Sequence, residues 1–330
     1  MRLLTPIRAS LCALAAMSAV PADAATYRFI APYAAAGTST SVLGINNAGY
    51  MTGAISSTLD NSGPGFIRSP GGVYTTFTDS GAFATTGRAI NSANTITGYS
   101  TDSTLNLRTD GEFVRTSGGS VTPLTDGVNP LHGIAQGINT AGSIVGDYFF
   151  TSGGHTFRHG YSIVGGVFTD ISVDNVFSHH TQARGITDSG LIVGWATLGG
   201  GVTEGFIYSG GAFNFIIDPS PSNATTTYLE GINNNGLAVG EWQDISGNFH
   251  AFEYNLLTSS FLEFAPPGAS NAQAFGLNDL GQVVITGNSG NWLYDPNGVP
   301  EPASWALMLL GFGGVGAGLR RLRRTARSLA

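Results

Sequence analysis

Short apolar runs, broken every few residues by Gly, Ser, Thr and Asn, recur along nearly the whole chain. They predict β-strands joined by tight turns rather than helices. One motif stands out within this pattern. It reads Gly44-Ile45-Asn46-Asn47-Ala48-Gly49-Tyr50-Met51-Thr52-Gly53 and returns from Ala89, Gly137, Gly185, Gly231 and Gly276. The six starts lie 45, 48, 48, 46 and 45 residues apart. Each copy has the form of a hairpin: an apolar residue and Asn end one strand, a turn follows, and an apolar run begins the next. The sixth position is Gly in five copies and Asn94 in the other. Those are the two residues that best tolerate a left-handed backbone. The third position is Asn in five copies and Thr187 in the other, a turn initiator whose side chain bonds nearby backbone.

A second hairpin follows each motif. Gly65-Phe66-Ile67-Arg68 leads through Pro70-Gly71-Gly72 to Val73-Tyr74, and His159-Gly160-Tyr161 through Gly165-Gly166 to Val167-Phe168. Glu204-Gly205-Phe206 and His250-Ala251-Phe252 repeat the entry, the latter with a longer turn before Phe261. Copy two is weaker, with Leu105 to Arg108, a turn at Asp110-Gly111, and Phe113. Two hairpins in a repeat of this length give four strands, the size of one β-propeller blade. The last repeat lacks a fourth strand, and Thr26 to Ile30 precedes the first motif without a partner. The expectation is therefore an all-β propeller of six four-stranded blades over residues 25–298, closed by the N-terminal strand. An elongated β-solenoid is the alternative, disfavoured because hairpins need antiparallel strands.

Composition narrows the chemistry. The chain has 330 residues, 48 of them Gly, and all 14 basic residues are arginines. Without lysine there is no Schiff base and no Walker-type phosphate loop. Between residues 25 and 298, seven arginines stand against nineteen acids, a net of −12. Such a body repels phosphate backbones, so nucleic acid is not an expected partner.

The two ends read as addresses. Arg2 and Arg8 precede the apolar stretch Ala9 to Val20, and Ala22-Asp23-Ala24 has the small-residue pattern of a signal-peptidase site. Residues 1–24 are thus an expected signal peptide, and the only cysteine, Cys12, lies inside it. At the other end Val299, Pro300, Glu301 and Pro302 lead into an uncharged stretch from Trp305 to Leu319, followed by Arg320, Arg321, Arg323, Arg324 and Arg327. A helix over that stretch, about 22 Å long, comes close to spanning a bilayer core, with the arginines held on the cytoplasmic side. An ordinary tail anchor is the alternative reading.

A Pro-Glu-Pro signature, an apolar helix and an arginine cluster, in that order at the C-terminus, resemble the PEP-CTERM sorting signal. The resemblance implies export in a Gram-negative bacterium with an exopolysaccharide system. It also implies cleavage near Val299 to Pro302 by an exosortase-type protease, a transient inner-membrane anchor over residues 299–330, and release to the cell surface or matrix. The single His250-Ala251-Phe252, with the recurring Gly-Ile-Asn motif, resembles the bacterial HAF-repeat proteins of the cell exterior. That resemblance implies an architecture and no chemistry.

Candidate chemistry is sparse. Glu230 and Glu241 flank the fifth motif turn beside Trp242, an arrangement compatible with glycoside cleavage. Asp147, Tyr99 and Trp195 occupy the position of Glu241 in their own repeats, and such variation suggests a ligand-facing position or, by default, a solvent-facing one. His155 and His159, and the pair His179-His180, lack the helical context that would turn their spacing into a metal site. Asn223-Ala224-Thr225 matches a glycosylation acceptor by chance. No cofactor and no metal are expected. The favoured reading is a non-enzymatic surface or matrix protein whose rigid face binds exopolysaccharide or protein through Asp147, Trp195, Glu230, Glu241 and Trp242. An extracytoplasmic propeller enzyme acting on polysaccharide is the alternative.

Overall fold

The computed structural model describes residues 26–298 except 104–110, 153, 174–179, 200 and 218–225. The signal peptide, the sorting signal Val299 to Pro302, the apolar stretch Trp305 to Leu319 and its arginines all lie outside the described residues. No helix among the described residues is long and apolar enough to cross a membrane.

The described chain is all-β, with 24 strands forming six four-stranded antiparallel units. Sheet one comprises Thr38–Ile45, Met51–Ser57, Gly65–Arg68 and Tyr74–Phe77, in chain order from the innermost strand outward. Sheets two to five repeat that order, with innermost strands Ala84–Ile90, Gly133–Ile138, Thr181–Ile186 and Thr226–Ile232. Sheets four and five are joined by one parallel bridge, Thr203 to Thr226. In sheet six the strands Ala272–Leu277, Val283–Gly287 and Gly290–Asp295 are completed by Thr26–Phe29, the expected N-terminal partner.

The motif turns have the backbone their residues predict. The sixth position is left-handed in every copy: φ is 77° at Gly49, 59° at Asn94, 82° at Gly142, 85° at Gly190, 78° at Gly236 and 76° at Gly281. At the third position the Asn46 Oδ1 accepts the amides of Ala48 (3.1 Å) and Tyr50 (3.0 Å), holding its own turn. The same side chain also does what the sequence did not foretell. Its Nδ2 donates to the carbonyl of Asn91 in the next sheet (2.9 Å). Asn91 donates in turn to Asn139 O (3.1 Å), and Asn139 to Thr187 O (3.0 Å). Asn233 donates to Asn278 O (3.0 Å), and Asn278 donates to Asn46 O (3.0 Å), joining sheet six to sheet one. Thr187 has no side-chain amide to pass on; what remains there is the bond of the Asp188 amide to Asn234 Oδ1 (2.8 Å), a link that Thr140, Asn234 and Asp279 make in their own copies as well.

The first motif glycine permits the inner strands to approach. A Cβ at Gly276 would lie 2.7 Å from Leu43 O, and one at Gly137 would lie 2.6 Å from Arg184 O. Between sheets the packing is aromatic and aliphatic. Phe66, Phe113, Tyr161, Phe206 and Phe252 are fully buried. Each stands opposite the last motif glycine of its repeat: Gly53, Gly98, Gly146, Gly194 and Gly240. This pairing corrects the expected register of repeat two. Its third strand is Gly111–Arg115 and its fourth Val121–Pro123, so Gly111 belongs to the third strand and the hairpin turn lies between Arg115 and Val121. The physical reason is Phe113, which must face the bare backbone of Gly98, where a Cβ would stand 3.0 Å from its ring.

Candidate functional site

Every innermost strand carries a β-bulge at the residue just before the motif. Register shifts there leave Leu43, Arg88, Gln136, Arg184, Glu230 and Phe275 unpaired. A bulge re-aims its side chain. Here all six residues line one cavity, of about 80 Å³ for water centres, together with the motif glycines and Ile45, Ile90, Ile138, Ile186, Ile232 and Leu277. A second cavity of similar volume lies beyond these isoleucines, walled by the turn residues Asn46, Asn91, Asn139, Asn233 and Asn278. The layers run from a charged belt through an aliphatic collar to a ring of asparagines.

The belt is stitched together. Arg88 Nε and Arg184 Nη1 both donate to Gln136 Oε1, at 2.8 and 2.9 Å. Arg184 Nη2 lies 3.3 Å from Glu230 Oε1, and Arg88 Nη2 lies 3.6 Å from Glu230 Oε2, reaching from sheet two to sheet five. The Arg88 guanidinium also sits over the Phe275 ring at 5.6 Å. Burial and the like charge of Arg184 pull Arg88 down to about 10. Gln136 Nε2 donates to Asp147 Oδ1 (2.8 Å), and Asp147 pairs closely with Arg158.

The expected ligand-facing residues are therefore mostly interior. Asp147 is fully buried, Glu230 and Glu241 are 5% and 3% exposed, and Trp242 is 5% exposed and stacked on His250 at 4.0 Å. Trp195 is half-buried under the Arg184 guanidinium, 5.6 Å from its ring, with an edge contact to Tyr228 at 5.2 Å. The solvent-facing expectation fails at Asp147 and Glu241 because the second strand of each sheet, Ile144–Ser152 or Leu237–Gln243, is itself covered at these positions. Glu241 accepts from Gln273 Nε2 of sheet six (3.2 Å). Burial, and then the charge of nearby Glu230, push its carboxyl well above the usual range. The structure thus brings Glu230 and Glu241 together, and their proximity in a buried setting favours the neutral form of Glu241.

A second buried acid was missed. Glu112 precedes Phe113, is 1% exposed, and accepts a short hydrogen bond from the Tyr161 hydroxyl. Burial raises both groups well above their ordinary values. The signal was available: Glu112 fills the place held by Gly65, Gly160 and Gly205 before the aromatic in other repeats.

The histidines sit elsewhere. His155 and His159 share the strand His155–Val164, and His159 Nδ1 meets Asp170 Oδ2 at 2.8 Å. His159 and two neighbouring bonds hold Asp170 down at about 2, against the opposing effect of burial. His250 lies between Glu263 (3.2 Å) and Asp244 (3.5 Å) on opposite ring nitrogens. Among the described residues no group of three or more His, Cys, Asp and Glu is placed to hold a metal ion. His179 and Asn223 to Thr225 lie outside the described residues.

Chemically, the belt fixes charge in a narrow cavity and offers no acid and base facing each other across an open cleft. Among solved structures the chain is similar to TolB from Acinetobacter baumannii, at 12% identity and a TM-score of 0.49 over 74% of this chain. It spans 63% of the length of that protein. It is also similar to virginiamycin B lyase from Staphylococcus aureus (14% identity, TM-score 0.43, 83% of this chain and 89% of that one). A third likeness is to the Aleuria aurantia lectin (10% identity, TM-score 0.47, 80% of this chain and 97% of that one). No curated protein matches the chain. Residues 298–324 match the PEP-CTERM protein-sorting motif, which ties the chain to export and to membrane-anchored, exosortase-dependent sorting.

Proposed function

We propose that this protein is an exported cell-surface or matrix component: a signal peptide over residues 1–24, a closed six-bladed propeller over 25–298, and a sorting tail over 299–330. The tail passes through the inner membrane by the helix from Trp305 to Leu319, with Arg320 to Arg324 cytoplasmic, until a cut near Val299 to Pro302 releases the body. The observation that carries the reading is the sorting motif at residues 298–324. Ring closure is supported by the N-terminal strand in sheet six and by the Asn278 to Asn46 bond. The HAF-type resemblance of the repeats agrees with an exterior role.

The body acts as a rigid, non-enzymatic module that binds exopolysaccharide or a matrix protein. Its inward acids support this: Asp147 and Glu230 face guanidiniums, and Glu241 is locked beneath sheet six. The half-buried pair Trp195 and Tyr228 supplies the aromatic surface that this reading assigns to sugar contact. A second reading, a polysaccharide-cleaving enzyme, draws on one observation: the raised carboxyl of Glu241 beside Glu230 is what a general acid requires.

One assay separates the two. The exported protein is passed over the producing organism's own exopolysaccharide while reducing ends and viscosity are followed. Retention without new ends is expected, weakened by Trp195→Ala. New ends that vanish in Glu241→Gln would establish the enzyme.

A further inference from the structure

Two guanidiniums in the belt pair with one carboxylate, since burial and the charge of Glu230 hold the nearby Glu241 toward its neutral form. Arg88 and Arg184 face one cavity and share a single carboxylate, Glu230, at 3.6 and 3.3 Å. Asp147 does not make up the difference, because it is taken by Arg158. The two guanidiniums are also held toward each other, both donating to the one amide oxygen of Gln136. Like charges so placed repel unless something negative sits between them. Arg184 Nε supplies a second sign: it is buried and has no hydrogen-bond partner among the described residues, a state it shares with Glu230 Oε2. An unpaired buried donor on a cation costs more than a neutral one. The cavity in front of these groups, about 80 Å³ for water centres, exceeds the roughly 10–15 Å³ that one water needs. It has room for several waters or for a small ligand.

We propose that the cavity bounded by Arg88, Arg184 and the motif glycines is a binding site for a small oxyanion, a carboxylate or phosphate, bridging the two guanidiniums. Planar guanidiniums match oxyanion geometry through paired N–H groups, where a halide meets them only as a point charge. Glu230 opposes the ligand, and Gln136 holds both arginines in place. The site gives the cavity a chemical role separate from any outer glycan-binding face. It also gives an otherwise acidic body one local point of attraction for anions.

Sodium acetate and inorganic phosphate, titrated calorimetrically into the exported protein at an ionic strength matched with sodium chloride, test the site. One saturable event is expected with acetate or phosphate and none with chloride; which oxyanion wins identifies the class. Arg184→Gln should abolish it with the far-UV spectrum unchanged, while Arg68→Gln, on an outer strand, should not. Glu230→Gln removes the opposing charge and should tighten binding on the order of tenfold or more. Absence of saturable binding in both the native protein and Glu230→Gln would overturn the proposal, as would binding indifferent to Arg184→Gln. If the arginine variant fails to fold, the isosteric Glu230→Gln decides alone: tightening supports the site, and unchanged or weaker binding refutes it.

Discussion

Asn278→Ala removes the side chain that ties the last sheet to the first. Its Nδ2 donates to Asn46 O (3.0 Å) and to Gln282 Oε1 (2.9 Å), and its Oδ1 accepts from the amides of Leu280 (3.1 Å) and Gln282 (3.0 Å). The residue is 4% exposed, so water does not replace these partners. Three bonds to backbone at about 1 kcal/mol each, with the added cost of leaving the buried groups unmet, give a loss of about 3–4 kcal/mol. For a body of this size, at about 2–4 °C per kcal/mol, the melting temperature should fall by about 6–16 °C. The converse variant is Thr187→Asn, at the single copy that lacks the amide. It supplies a donor to the next sheet and should gain about 1 kcal/mol, or about 2–4 °C. Urea unfolding followed by circular dichroism, with calorimetry, measures both. A loss below about 1 kcal/mol for Asn278→Ala would refute the reasoning that this bond is a buried seam between sheets. A Thr187→Asn variant less stable than the parent would refute the claim that the seam has a gap there.

Three further outcomes follow from other parts of the molecule. Gly276→Ala places a Cβ 2.7 Å from Leu43 O and 3.0 Å from Gly44 Cα, so sheets six and one must separate; thermal unfolding should show a loss of about 1–3 kcal/mol. Burial raises the Glu112 carboxyl in the folded protein, whereas the unfolded chain ionises it near its ordinary value. Its contribution is therefore full at acid pH and is lost as pH rises above the unfolded value. Glu112→Gln keeps an acceptor for Tyr161 without that proton, so it should match the parent near pH 5 and exceed it at pH 8, by at most about 1.4 kcal/mol per pH unit between; a constant difference across this range would contradict the assignment. Replacing Pro300, Glu301 and Pro302 by alanine should leave the protein in the membrane fraction, measured by cell fractionation, where the parent is released.

Turn chemistry was legible because it is local. The left-handed sixth position followed from Gly and from the exchange to Asn94, and the N-terminal strand followed from counting strands. The inter-sheet bonds were not legible in the same way. Asn46 finds Asn91, and Asn91 finds Asn139, one repeat away, so only the match between donor spacing and repeat period carried the signal. The belt was missed for a related reason. Alternation places Glu230 on a sheet face, whereas the bulge between Leu229 and Gly231 turns it into the cavity. Variation at Asp147, Trp195 and Glu241 resembled a solvent-facing position because polar residues on strands usually are exposed. Here each exchange is matched by an internal partner: Arg158 and Gln136 for Asp147, Gln273 for Glu241. In repeat two the aromatic Phe113 outweighed the turn signal at Asp110-Gly111, since packing against Gly98 fixes the register.

The central claim is that the chain's N-terminal strand completes the last sheet and closes the ring. Hydrogen exchange at the Ile30 amide tests it most directly. That amide donates to Asn291 O at 2.9 Å, and the Ile30 side chain is 3% exposed against Val42, Val284 and Leu293 of sheets one and six. The account predicts that Ile30 exchanges only with global unfolding, as slowly as the Val284 amide. Exchange at the rate of a fraying terminus, with Val284 still protected, would contradict it.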